Sequence, residues 1–290
     1  MHLAILLWGF TGIFGKAINM NEGMIVWYRM LISALGLLFI IRLNKKSISL
    51  SRAAVLKISL VGIIVCLHWI SFYAAIKISN VSITLSCFSS ITLFTAILEP
   101  LSVKKKPHLS ELLLGIGVMI GIYIIFAFQE LYFWGIMISL LSAFLGAFFT
   151  VLNKKLVADY EPQTVTFYEL ASGFLFLSIV LPFYLQLTKQ TFSIPSVMDS
   201  IYLLLLGLIC TTLAFTISLN ALKKINAFTM NLSVNLEPVY SIILAIIIFK
   251  ENESLNSGFF IGTFIILSAV VIHSYFVFKN RKKISPQIIP

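Results

Sequence analysis

Ten apolar runs, each 17 to 23 residues long, follow one another with only short polar breaks between them, at 3–19, 24–41, 58–76, 81–103, 109–128, 131–152, 165–185, 201–222, 227–249 and 258–278. A helix crossing about 30 Å of hydrocarbon needs roughly 20 such residues, so each run has the length of one span. The stretch 58–103 is too long for a single crossing, and Lys77, Ser79 and Asn80 supply the polar break that divides it into two helices. The same break recurs at Lys223, Lys224 and Asn226. Of 290 residues, 59% are hydrophobic and only 11% are charged, where a soluble domain carries about 25%. A secreted enzyme, a cytosolic dinucleotide-binding protein and a disordered tail are therefore excluded.

Cys66, Cys87 and Cys210 are odd in number and lie inside apolar runs, so they read as packing residues rather than a disulfide framework or a CxxC site. A net charge of +10 could suggest a nucleic-acid partner, but the basic residues sit in short clusters between the runs. Arg42, Lys45 and Lys46 form one, Lys104 to Lys106 another, and Arg281 to Lys283 a third. Such clusters orient helices in a lipid bilayer, and no nucleic-acid binding is expected. With the N-terminus cytoplasmic, the inside loops and tail hold 16 Lys and Arg and the outside loops 4, with Arg29 inside a helix completing the 21. This asymmetry predicts both termini on the cytoplasmic side and an even number of spans. The first run lacks a basic leader and an A-x-A site, so a cleaved signal peptide is not expected.

The chain also repeats itself. Residues 75–81, AIKISNV, match 221–227, ALKKINA, at an offset of 146, each between two spans. Trp27-Tyr28-Arg29 aligns with Phe167-Tyr168-Glu169 at an offset of 140. The unit is five spans used twice, and because five is odd the second unit enters the membrane from the opposite side. The expected fold is thus an all-α integral membrane protein of ten transmembrane helices, arranged as two inverted five-helix repeats at 1–128 and 129–278, with a basic cytoplasmic tail at 279–290. Inverted repeats of this kind accompany alternating access around a central site.

An ionisable group deep in a bilayer costs about 2.5–3.5 kcal/mol even on the permissive insertion scale, so depth decides which of them matter. Glu99, Lys16 and His273 lie near span ends, where an interfacial carboxylate or a snorkelling side chain needs no further role. Glu237 is about eleven residues from either end of its span, and Pro238 after it removes a backbone donor and loosens the helix there. Its structural reading is a carboxyl bonded to a neighbouring helix; its functional reading is a group that loads and releases a proton or meets a cationic substrate. His68 lies at matching depth in the other repeat, ahead of Trp69, Phe72 and Tyr73; it is either a satisfied packing residue or part of a proton relay. Arg29 and Glu169 sit four or five residues inside their spans and are expected at opposite mouths, as gating or vestibule residues or as helix-end anchors. Asn231 with Asn235, and Thr212 with Thr216 and Asn220, form polar stripes that serve either as helix glue or as cavity lining. No zinc spacing, phosphate loop or G-x-S-x-G motif occurs, so no metal, cofactor or catalytic residue is expected, and ATP-driven transport by this chain alone is excluded.

Trp8-Gly9 in the first run, Tyr28-Arg29 in the second, Leu236-Glu237-Pro238-Val239 in the ninth, and Phe249-Lys250-Glu251 ahead of Ser254-Leu255 together resemble the drug/metabolite transporter superfamily, in its EamA branch of ten-span permeases. The resemblance covers nearly the whole chain. It implies an inner-membrane secondary transporter, commonly an exporter of amino acids or other small metabolites, with a cavity between the repeats. The expected cavity residues are Trp8, His68, Tyr73, Asn231, Asn235 and Glu237, with Glu237 and His68 as proton-coupling candidates. Two departures stand in the first repeat: Thr92 where the ninth span has its Pro, and Lys104-Lys105 where a closing Gly-Glu is usual. A straighter fourth helix is expected from the first. An uncoupled facilitator or channel is the alternative, and an enzyme on lipid-linked substrates, with His68 and Glu237 as acid and base, a remoter one. A homodimer is left open.

Overall fold

The computed structural model describes residues 1–45, 47–107, 109–128 and 132–284. Lys46, Leu131, the end of the basic tail, and the side chains of His273 and of Arg281 to Lys283 lie outside the described residues. Helices α1 (His2–Ala17), α2 (Glu22–Leu43) and α3 (Arg52–Ile78) are followed by the half-helices α4 (Val81–Phe88) and α5 (Ile91–Ser102). Then come α6 (Leu109–Phe128), α7 (Phe133–Asp159) and α8 (Pro162–Leu187). Helix α9 (Val197–Leu204) continues through a π-helical stretch (Leu205–Leu213) into α10 (Ala214–Leu222). A second pair of half-helices, α11 (Ala227–Val234) and α12 (Glu237–Phe249), and the last helix α13 (Ser257–Ile284) complete the order. Among the described residues there is no strand. Seven helices, with α4–α5, α9–α10 and α11–α12 each taken as one, are long and apolar enough to cross a membrane. Three more apolar stretches, His2–Ala17, Leu112–Ile125 and Ser257–Ala269, are shorter.

The polar breaks of the sequence become helix caps. Asn21, Ser51, Asn80, Ser196 and Asn226 each accept from a backbone N–H two or three residues on, which satisfies donors that a helix start leaves unpaired. The helix ends then gather on two opposite faces. On one, Asp199 accepts from the Asn19 N–H (3.0 Å), Lys77 donates to the Ile18 carbonyl (2.6 Å), and Lys16 pairs with Glu251 (2.8 Å). On the other, Tyr168 donates to the Ile48 carbonyl (2.9 Å), Lys155 to Ser102 O (2.8 Å), Lys154 to Leu222 O (2.8 Å), and Lys223 pairs with Glu161 (3.2 Å). Successive helices therefore run back and forth between two polar faces. Between those faces Leu35, Phe39, Leu60, Leu113, Ile179, Ile247 and Phe264 stay exposed on the outside, a belt of large apolar surface that suits lipid rather than water.

The expectation of a straight fourth helix is corrected. Its two halves part at Ser89 and Ser90, where the hydrogen bonds tighten: Ser90 N donates to Cys87 O (3.1 Å) and Thr92 N to Ser89 O (3.4 Å). The ninth parts at Asn235 and Leu236, with Asn235 N on Leu232 O (3.2 Å) and Leu236 N on Ser233 O (3.1 Å). Pro238 sits in the first turn of α12, where its missing N–H costs nothing. A pair of serines stands at the break in one helix where proline follows it in the other; Ser89 Oγ bonds back to Leu85 O (3.3 Å), and Ser90 Oγ has no partner among the described residues.

Candidate functional site

The two broken helices meet antiparallel. Asn231 Nδ2 donates to Thr95 Oγ1 (2.7 Å), and Asn235 Nδ2 donates to Thr92 Oγ1. At each end of this pair a carboxylate from one partner caps the other. Glu99 of α5 accepts from the backbone N–H of Ala227 (3.0 Å) and Phe228 (2.7 Å) at the start of α11. Glu251, just past α12, accepts from Val81 N (3.1 Å), Ser82 N (2.9 Å) and Ser82 Oγ (2.6 Å) at the start of α4, and from Lys16 Nζ (2.8 Å). Free N–H groups and the positive end of the helix dipole make both positions favourable for an anion.

Beside this pair lies a cavity of about 690 Å³ of atom-free space, part of it continuous with solvent. Trp8, Trp69, Phe72, Phe88, Ile91, Phe149 and Phe215 give it aromatic and apolar walls, and Thr11, Arg29, His68, Thr150, Asn153, Ser218, Asn231 and Glu237 give it polar points. Arg29 is buried, yet its guanidinium is held on three sides. Nε donates to Thr211 Oγ1 (2.7 Å), Nη1 donates to the Tyr73 hydroxyl (2.8 Å), and the group stacks 3.7 Å from the centre of the Trp69 ring. Stacking on an aromatic face suits the planar, weakly hydrated guanidinium. Thr211 is aimed there by the π-helical stretch, in which its hydroxyl also donates to Leu206 O (2.7 Å), five residues back. Such π-turns re-aim side chains where a regular helix would not.

Glu237 faces the same space from the first turn of α12, itself buried, with the Thr11 hydroxyl as a polar neighbour. That hydroxyl spends its own proton on Trp8 O (2.7 Å), so it offers Glu237 a lone pair. Among the described residues no ion pair closes between Arg29 and Glu237; the cavity holds a guanidinium and a titratable carboxyl without joining them. His68 is fixed through Nδ1, which lies 2.8 Å from Ser142 O and 3.0 Å from Ser142 Oγ, between Phe72, Phe88 and Phe149. The ring nitrogen Nε2 is the one left for chemistry.

Of the residues expected in the cavity, Trp8, His68, Asn231 and Glu237 line it. Tyr73 does not: it stands behind Arg29, and its ring fills the space beside Gly15, where a Cβ would come within 2.3 Å. Asn235 does not either: its Nδ2 donates to Thr92, and its Oδ1 is buried without a partner among the described residues, away from the cavity wall. Arg29, expected at a mouth, lies on the cavity wall with Glu237; a long side chain carries its charge well away from the depth of its own backbone. Glu169 lies off the wall. It is completely buried, and neither of its carboxyl oxygens closes a hydrogen bond; Asn153, set against it, leaves both amide atoms equally unpartnered. Each such group costs about 1–3 kcal/mol. In the Thr212 stripe only Thr212 reaches a neighbouring helix, its Oγ1 donating to Ser33 O (3.2 Å) or to Gly207 O (3.0 Å); Thr216 Oγ1 has no partner among the described residues, and Asn220 donates to Thr216 O (2.9 Å). Sequence reasoning missed Asn153, which precedes Lys154 and Lys155 and looked like the start of a loop, whereas α7 runs on to Asp159. It also missed the capping by Glu99 and Glu251, since neither signals a partner more than 120 residues away.

Antiparallel broken helices, a lipid-facing exterior and a partly open pocket of ionisable and aromatic side chains define a polytopic membrane protein built to hold a small solute rather than to transform it. The chain belongs to the EamA-like transporter family, whose pattern matches it twice, over residues 1–127 and 133–275. It is therefore a membrane transporter and not an enzyme. An uncharacterized inner membrane transporter of Salmonella typhimurium, YicL, is 26% identical over 297 residues, covering 94% of this chain and 93% of that one. An uncharacterized transporter of Archaeoglobus fulgidus is 27% identical over 142 residues, 48% of this chain and 46% of the other. One solved crystal structure shares the fold with a TM-score of 0.71 at 13% identity, over 95% of each chain.

Proposed function

We propose that this protein exports small organic metabolites such as amino acids across the inner membrane by alternating access, and that Glu237 couples the cycle to protons. The observation that carries this reading is the placing of a buried carboxyl, Glu237, and a buried guanidinium, Arg29, on one cavity wall with no ion pair between them. A zwitterion presents the two complementary charges, and the aromatic wall suits a partly apolar side chain. Glu237 with a proton on it can give a hydrogen bond to Thr11; without it, the carboxylate is left to Arg29 or to a substrate ammonium. His68 is the second proton-coupling candidate.

Ten spans in two inverted five-helix repeats, 1–128 and 129–278, with both termini and the 279–290 tail cytoplasmic, fit this cycle. The twofold family match, the paired breaks 146 residues apart and the reciprocal caps of Glu99 and Glu251 support that arrangement. The inner membrane is the location named for the Salmonella relative.

The test uses purified protein in liposomes. Counterflow of radiolabelled amino acids finds the cargo, and a pH gradient then drives net movement. Glu237→Gln is expected to keep counterflow and to lose at least tenfold of the gradient-driven rate. A variant that still responds fully to the gradient would overturn the coupling role, and wild-type counterflow with no pH response would favour the uncoupled facilitator.

A further inference from the structure

The geometry points to a second proton site at Glu169, reached from the cavity through Asn153. Glu169 is fully buried in α8 with both carboxyl oxygens unpartnered, and Asn153 of α7 is fully buried with both amide atoms unpartnered. Asn153 also forms part of the cavity wall. The two side chains face each other without a well-formed hydrogen bond, and four such buried polar atoms in one place call for an explanation. One side of this cluster is the cavity, so water entering there reaches Asn153 first and the carboxyl through it.

Among the described residues no ion pair reaches Glu169. The elements packed on α8 are α2, α3, α7 and α10. Arg29 of α2 is committed to Tyr73 and Thr211, His68 of α3 to Ser142, Lys154 of α7 to Leu222 O, and Lys223 at the end of α10 to Glu161. Cys66 of α3 is a buried free thiol. On α8 itself, Tyr168 bonds Ile48 O and Tyr184 bonds Glu22. A proton is the ligand these groups fit. The two carboxyl oxygens and one amide oxygen fall short of the six or more that a calcium-like cation takes.

The repeat sharpens the contrast. Arg29, the counterpart of Glu169, is anchored through Nε and Nη1 and stacked on the Trp69 ring, with its remaining N–H donors left for the cavity; Glu169 has no such anchor. The transporter would then carry one exchangeable carboxyl on each side of the substrate, Glu237 and Glu169, with only Glu237 in reach of it. This deepens the transport reading and rests on it for the sidedness of proton access.

Dicyclohexylcarbodiimide adds to carboxyls that carry a proton in apolar surroundings, and peptide mass mapping of the full chain in liposomes reports each site separately without any transport assay. Glu169 is expected to be modified at pH 6 and at least fivefold less at pH 9. Asn153→Leu is expected to lower modification of Glu169 at pH 6 severalfold while leaving that of Glu237 unchanged. No modification of Glu169 at any pH overturns the proposal, as does modification that stays constant from pH 5.5 to 9.5, the mark of a permanently neutral structural acid. Because the readout at Glu169 is independent of Glu237→Gln, failure here and failure of proton coupling at Glu237 are distinguishable.

Discussion

At the scale of single residues, close approach decides more than polarity does. Gly62 of α3 faces the backbone of α8 so tightly that a Cβ would lie 2.3 Å from Glu169 O and 2.3 Å from Ser172 Oγ. The first obstacle is backbone, which cannot swing away. Overpacking of this kind costs about 1–3 kcal/mol, so Gly62→Ala is expected to lower the melting temperature of the detergent-solubilised protein by several degrees. Gly15→Ala meets the Tyr73 ring at 2.3 Å, and that ring is anchored by Arg29. The same thermal melt for Gly15→Ala, repeated with Tyr73→Phe, checks the anchor: release of the ring is expected to recover part of the loss. Residue identity in the sequence pointed to Arg29 and Glu237, because charge in an apolar run is visible without a structure. It did not separate Tyr73 from the cavity or Asn153 into it, since those depend on which face of a helix turns inward, and α3 and α7 are apolar nearly all round.

At the scale of elements, the fourth and ninth spans behave as one unit of four half-helices. The helices and their polar breaks were legible from hydropathy and capping residues, as were the break before Pro238 and the internal repeat. The break at Ser89-Ser90 was not, because serine is tolerated in helices and only the packing against α11 and α12 shows that the ladder is interrupted. Lys104-Lys105 replaces the closing Gly-Glu of the first repeat, yet the cap on α11 survives: Glu99, ahead of Pro100 inside α5, supplies it. Charge-assisted bonds of this sort contribute about 1.5–3 kcal/mol, or about ten- to hundredfold in an equilibrium. Glu251→Gln is therefore expected to speed maleimide labelling of Thr11→Cys from the Glu251 side by about tenfold, while Glu99→Gln leaves that rate unchanged. Equal rates in Glu251→Gln and the parent would remove Glu251 from any gating role.

For the whole molecule, the two polar faces are the feature that transport needs. Lys45, Lys104 and Lys155 are expected on the face that carries Glu161, and Asn21, Lys189 and Asn252 on the face that carries Glu251. Single cysteines at these positions, tested with an impermeant reagent on intact cells, check it; Lys45 and Lys104 labelling from opposite sides would overturn the topology. This expectation comes from basic-residue asymmetry alone, which needs no knowledge of packing, and the labelling is its test.

The cavity is not centred between those faces. Its wall reaches Asn153, Leu222 and Met230 beside the Lys154 end, and on the other side goes no further than Thr11 and Phe72, short of the Lys16–Glu251 pair. Glu251 gathers four donors where Glu99 gathers two. Under the alternating-access proposal, a competitive blocker dissolved on the Lys154 side is expected to act at once, and the same blocker on the Lys16 side only as fast as the carrier turns.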